Sequence, residues 1–328
     1  PDQAPHHATG HTRRTAHTRF RHFRSDLTGG MSAAVLNIPI SMGYGMLALS
    51  PLGPDYIPLG ILAGLYAVVC GGLVALLLGA DTTMIYAPRS IVTFLIGSLV
   101  MQNLVHAASA SGHQFAPDTI LTLIFLLVFV AGAVQMLFGV LRLGDLVKYL
   151  PAPVLSGFQN AAAVLIFLSQ IDAMLGFRSH VSIGSLPGSV GSVLPANLAV
   201  GVITVFCILK GARITNRLPP SILGFLTGIA CYYVFLTLGL STNLGPVIGD
   251  IPWTVPTPDF APRFAEAFSD PAIASFFPVL LTSALSLAIV ASLDAMLCAR
   301  LVEADSGHRF KSNAELMRLG AGSMVSAC

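Results

Sequence analysis

The sequence predicts an all-α polytopic membrane protein, and three observations carry that prediction. Hydrophobic residues make up 54% of the 328 positions and charged residues only 10%, where a soluble domain carries about 25% charged residues. Apolar segments recur at about 27–49, 58–79, 87–105, 119–141, 153–176, 194–210, 220–240 and 276–299, each near the roughly 20 residues that a bilayer requires. A ninth begins near Asn313 and runs to Cys328. Finally, the basic residues sort by side. With alternating spans and a cytoplasmic N-terminus, the inside receives Arg13, Arg14, Arg19, Arg21, Arg24, Arg142, Lys148, Lys210, Arg213, Arg217, Arg300, Arg309 and Lys311, thirteen of the seventeen. The outer loops receive Arg178 and Arg263, so a multi-pass protein of the cell (inner) membrane with its N-terminus inside is expected.

Residues 1–25 hold five of the nine histidines and the first five arginines. They read as a disordered, basic cytoplasmic tail lying against the membrane rather than as a metal-binding tract. The longest outer connection, about 241–275, carries prolines, aspartates and Trp253 and is expected to fold over the outer surface. The five cysteines are scattered, with no metal or disulfide spacing. No Walker A loop, dinucleotide fingerprint, HExxH or nucleophile elbow is present, and no nucleophile–base pair is visible. An enzyme or an energy-coupling ATPase is therefore not expected, nor is a cofactor or a nucleic-acid partner. The lipid bilayer and a small solute are the partners to look for.

Three stretches carry chemistry. From Ala80 to Val105 a β-leaning run, Thr82 to Tyr86, breaks at Ala87-Pro88 and continues as an apolar helix from about Ser90. Proline suits a first helical position, because its missing N–H would have no partner there. The free amides and dipole of a helix start favour an anion, and Arg89 beside them adds a full positive charge. Irregular backbone at membrane depth is tolerated only where it lines protein or a wet cavity. The bland alternative is a short turn with Arg89 snorkelling at the helix end.

In the first span, Pro39 is surrounded by Asn37, Ser41, Gly43, Tyr44 and Gly45. An interior proline frees a carbonyl and kinks the helix, so these polar residues either line a cavity or form a Gly/Ser packing face. In the eighth span, Asp294 lies deep in an apolar run. A carboxylate there costs a few kcal/mol facing lipid, so it must face the interior, pair with a cation, or bind a proton or sodium ion. A coupling-ion site is favoured over a structural partner for Arg89. Asp172 reads as interfacial, and Glu303, Asp305 and Glu315 as residues flanking cytoplasmic bases with no special role.

These residues carry a resemblance. IPISMGYGMLA in the first span, RLGDLVKYLPAPVLSGFQNAAAVLIFLSQIDAMLG across the fourth and fifth, and ALSLAIVASLDAMLCARLVEADSGHRFKSNAELMRLGAG at the end resemble the sulfate permease (SulP) family of anion transporters, with a uracil-permease-like fold. The resemblance implies fourteen segments in two inverted repeats of seven, of which this chain covers the first eight to nine. It implies a core domain over 26–150 and 276–328, a gate domain beginning over 151–275, and a homodimer. It places the third-segment site at Ala87, Pro88, Arg89 and Ser90, with Ser41 and Tyr44 contributing from the first segment and Asp294 as the coupling residue for Na+ or H+. Arg89 stands where most relatives have a small or aliphatic residue, Ala87 replaces their glycine, and Ile40 replaces a frequent glutamine. The tenth half-helix, the rest of the gate and a cytoplasmic STAS domain would lie beyond the residues given, so these residues alone do not complete the site.

The expected function is secondary active transport of a small inorganic or organic anion, of the sulfate, bicarbonate or dicarboxylate class, by an elevator-like displacement of core against gate. The alternatives are a nucleobase permease of the same fold, against which Arg89 argues, and a non-transporting membrane scaffold or sensor with the basic tail as its partner-binding part.

Overall fold

A computed structural model describes residues 16–79, 85–99, 117–149, 151–177, 193–214, 220–240, 244–245, 264, 271–306 and 310–328. Among these residues all regular structure is helical. Among the described residues nine α-helices can be bounded, in order: α1 Ala16–Leu49, α2 Ile57–Leu77, α3 Ser90–Leu99, α4 Pro117–Val140, α5 Ala152–Leu175, α6 Pro195–Ile214, α7 Pro220–Thr237, α8 Pro271–Ser306 and α9 Ser312–Ser326. Each expected segment has its helix. Five helices are long and apolar enough to cross a membrane, while the apolar stretches Ser90–Leu99, Ser156–Leu168 and Pro195–Gly211 are shorter. Polar residues late in α5 and the basic end of α6 trim the latter two.

α1 departs from expectation. It begins at Ala16, so residues 16–25, read as part of a disordered tail, are its first turns. No glycine or proline falls between Ala16 and Thr28, and extending a formed helix costs far less than nucleating one. Residues 1–15 of the expected tail lie outside the described residues, as do Thr82–Met84, residues 100–105 of the third segment, most of the outer connection 241–275, and the side chain of Asp172.

α4 forms the centre of the bundle. Leu121, Leu123, Ile124, Leu126 and Leu127 are all nearly or fully buried, whereas Leu137 and Val140 near its end are exposed, as expected of an apolar helix whose first half is surrounded by neighbours. Around it lie α8, through Leu280, Ala284, Leu287 and Ala288, and α3, through Val92, Leu95, Ile96 and Leu99. α1 joins through Leu49. α5, α6 and α7 pack mainly on one another and expose large apolar side chains such as Phe167, Leu209 and Tyr233, the pattern of lipid-facing surface.

Two helix crossings are close because neither side has a Cβ. At α1–α2, a Cβ on Gly60 would meet the Gly45 carbonyl O at 2.5 Å, and one on Gly64 would strike the Ser41 carbonyl O. At α4–α9, a Cβ on Gly320 would meet the Gly132 carbonyl O at 2.6 Å, and one on Gly132 the Gly320 carbonyl O at 2.8 Å. Membrane helices gain packing energy where small residues let backbones approach.

Candidate anion-binding site

Residues 85–89 are non-helical and α3 begins at Ser90. The Thr93 N–H donates to the Arg89 carbonyl at 2.9 Å, which makes Arg89 the N-cap and moves Pro88 one position ahead of it, not to the first helical turn. The Thr93 hydroxyl donates to the same carbonyl at 2.9 Å. The amides of Ser90, Ile91 and Val92 then have no acceptor within the helix and give its start a partial positive charge. The start of α3 is packed against α8 and α1 rather than projecting past the bundle, and Ala87, Pro88, Arg89 and Ser90 are all half-buried.

Arg89 and Asp294 meet. The Arg89 Nη1 donates to Asp294 Oδ2 at 3.2 Å, and the two side chains are 18% and 19% exposed. The same nitrogen lies 3.5 Å from the Asp294 carbonyl O. The pair is end-on: among the described residues, Arg89 Nε and Nη2 and Asp294 Oδ1 make no hydrogen bond. Asp294 therefore faces the interior, held in place by the buried Ala295, Met296 and Leu297 beside it on α8. Each of the two residues stands out from sequence alone; their contact, 205 residues apart, was there only an alternative reading of Asp294.

The first-segment residues lie on α1, which also packs against α3. Ser41 is fully buried at the α1–α2 crossing, with its hydroxyl making no hydrogen bond among the described residues. Tyr44 is half-buried on α1. No hydrogen bond joins either of them to Arg89 or Asp294 among the described residues. Asn37 turns its amide back to the Ala33 carbonyl at 3.0 Å. Pro39 sits inside an unbroken helix.

Glu315 requires a correction. It is 1% exposed, on a helix whose inner face packs against α2 and α4. Its Oε2 accepts the Tyr86 hydroxyl at 2.9 Å and Arg318 Nη1 at 3.2 Å. It is an interior ionic residue, not a cytoplasmic flank. Its neighbours in sequence, Lys311 and Arg318, disguise it, and the only available signal was its place on the apolar side of the α9 periodicity with Leu316, Gly320 and Gly322. Glu303 also has a role: its Oε1 accepts the Phe310 N–H at 2.7 Å and fastens the connection between α8 and α9.

A bundle of membrane-length helices around a non-helical chain segment and a half-buried Arg–Asp pair defines a multi-pass membrane protein with a charged interior site. The chain belongs to the sulfate permease family, whose sequence model matches residues 23–328. It is 27% identical over 310 residues to the putative sulfate transporter YvdB of Bacillus subtilis, covering 92% of this chain and 52% of that protein. It is 25% identical over 316 residues to the bicarbonate transporter BicA of Picosynechococcus, covering 94% and 50%. Thus the chain spans about half the length of these curated relatives. Among solved structures it superposes on the transmembrane domain of a cyanobacterial bicarbonate transporter BicA with a TM-score of 0.73, 27% identity, and coverage of 94% of this chain and 72% of that one. SLC26A9 shares the fold, with a TM-score of 0.69 at 20% identity over 92% of this chain and 47% of that one. The fold is the seven-plus-seven transporter architecture, of which this chain covers a part. The matched relatives are transporters, not enzymes.

Proposed function

We propose that the full-length protein is a secondary transporter of a small anion, of the sulfate, bicarbonate or dicarboxylate class, held between the start of α3 and Arg89. The observation that carries this reading is the end-on pairing of Arg89: among the described residues, three guanidinium N–H bonds, on Nε and Nη2, and the first three amides of α3 have no hydrogen-bond acceptor. A planar guanidinium with two free donor positions suits a two-point contact with an oxyanion. Relatives named for sulfate and bicarbonate transport support the substrate class.

Asp294 gives the site a coupling device. Ionised, it is a tethered carboxylate that competes with an incoming anion for Arg89. Neutralised by a proton, or shared with a sodium ion, it releases the guanidinium to the substrate. Binding of cation and anion is then mutually favourable, the condition for symport. Transport follows by displacement of a core built from α1–α4, α8 and α9 against a gate that begins with α5–α7, in the cell membrane, with the N-terminus cytoplasmic and two copies forming a homodimer.

The test is uptake of radiolabelled sulfate and bicarbonate by the full-length protein in proteoliposomes. Arg89→Ala is expected to cut uptake at least about 100-fold, the effect of losing a charge-assisted contact of roughly 3 kcal/mol, while elution and helicity stay as in the wild type. Arg89→Lys keeps the charge but not the fork and falls between. Uptake by Arg89→Ala within threefold of wild type removes Arg89 from the site.

A further inference from the structure

We infer that Tyr86, Glu315 and Arg318 form a mooring that holds the chain break in register, which makes Tyr86 and Glu315 positioning residues for the anion site. The inference rests on the proposed site at Arg89 and deepens it.

Residues 85–88 have no helical bonds of their own, and among the described residues the Tyr86 hydroxyl makes the only hydrogen bond from this stretch. Its acceptor, Glu315 Oε2, also accepts from Arg318 Nη1 at 3.2 Å, and Arg318 Nε donates to the Leu78 carbonyl at 3.3 Å. Leu78 follows the last turn of α2, which closes on Gly79 at φ 73°, so the guanidinium caps the negative end of that helix. One carboxylate oxygen thus ties together the end of α2, the inner face of α9 and the chain entering α3.

Stability alone does not account for the arrangement. Buried polar atoms are nearly always satisfied, yet Glu315 Oε1 is buried and makes no hydrogen bond among the described residues. A carboxylate placed only to stabilise α9 would be better replaced by an apolar side chain of similar volume. What the carboxylate gains is a fixed point for Tyr86, three residues ahead of Arg89. Anion affinity scales with the fraction of molecules whose site is already assembled. Cutting the mooring lowers that fraction, so it raises KM and leaves the rate at saturation nearly unchanged.

The experiment measures sulfate and bicarbonate uptake by the full-length protein in proteoliposomes, with hydrogen exchange at residues 85–90 read on the same preparations. Tyr86→Phe is expected to raise KM about tenfold, the equivalent of one charge-assisted hydrogen bond, with the maximal rate within twofold and faster exchange at 85–90 but not in α4. Glu315→Leu reproduces this, whereas Glu315→Gln, whose amide oxygen still accepts the hydroxyl, stays within about threefold of wild type. An unchanged KM in Tyr86→Phe, or Glu315→Gln as impaired as Glu315→Leu, overturns the inference. So does unchanged exchange at 85–90 in Tyr86→Phe, whatever the uptake. Wild-type uptake that survives Arg89→Ala overturns the transport site instead, and exchange then still decides the mooring.

Discussion

Replacing Asp294 by Asn keeps the shape of the side chain and removes its charge. An anion held on the free edge of Arg89 lies about 6 Å from the Asp294 carboxylate, and two like charges at that distance repel by about 3 kcal/mol at an effective dielectric constant of roughly 20. Both side chains of the pair are about one-fifth exposed, so part of this is screened, leaving roughly 1.5–3 kcal/mol. The substitution is therefore expected to tighten equilibrium anion binding about 10- to 100-fold. It also leaves the half-buried Arg89 without a counter-charge, so the unliganded protein melts at a lower temperature and the anion restores more of the loss than in wild type. Binding of labelled sulfate or bicarbonate to the full-length protein in detergent is measured across pH and sodium concentration. Wild-type affinity rises as protons or sodium ions neutralise Asp294; Asp294→Asn binds tightly at every pH and sodium level, and its flux no longer follows the gradient. Weaker binding by Asp294→Asn, or flux that still follows a proton or sodium gradient, would refute the competition argument.

Two predictions concern the scaffold. Gly64→Val places branched carbons against the Ser41 carbonyl and the Gly45 backbone, 3.1 Å from its Cα and N. Forcing the crossing apart costs roughly 1–3 kcal/mol or more, so the thermal midpoint in detergent falls, while Gly72→Ala, with nothing within 4 Å, leaves it unchanged. Equal midpoints for the two variants would contradict the close α1–α2 contact. Leu127→Ala, at a fully buried position on α4, is expected to lose about 2–5 kcal/mol of stability, read as a lower denaturation midpoint; a loss below 1 kcal/mol would remove α4 from the centre of the bundle.

Much of the fold was legible in the sequence because membrane segments announce themselves by length and apolarity, with no partner needed to recognise them. The start of α3 at Ser90 was legible for a local reason: Ala87-Pro88 ends one conformation and Arg89 opens the next. The start of α1 was not, since nothing between Ala16 and Thr28 breaks a helix and a charged, histidine-rich run reads as solvent-exposed. Arg89 and Asp294 were each conspicuous as charges in apolar surroundings, but their contact depends on how α3 meets α8. Glu315 was hidden for the opposite reason. Arg318 near it in sequence is one partner and supplies an ordinary explanation, while its second partner, Tyr86, is 229 residues away. Ser41 illustrates a third case: a small polar residue near a proline fits a cavity and a packing face equally well until the Gly45–Gly64 contact places it in the second.

The most direct measurement is anomalous diffraction from crystals of the full-length protein grown with selenate, an oxyanion whose scattering marks its own position. A peak within hydrogen-bond reach of the Ser90–Val92 amides and the free edge of Arg89, absent in Arg89→Ala crystals, is the predicted result. A well-occupied peak elsewhere, with the start of α3 covered by protein, would contradict it.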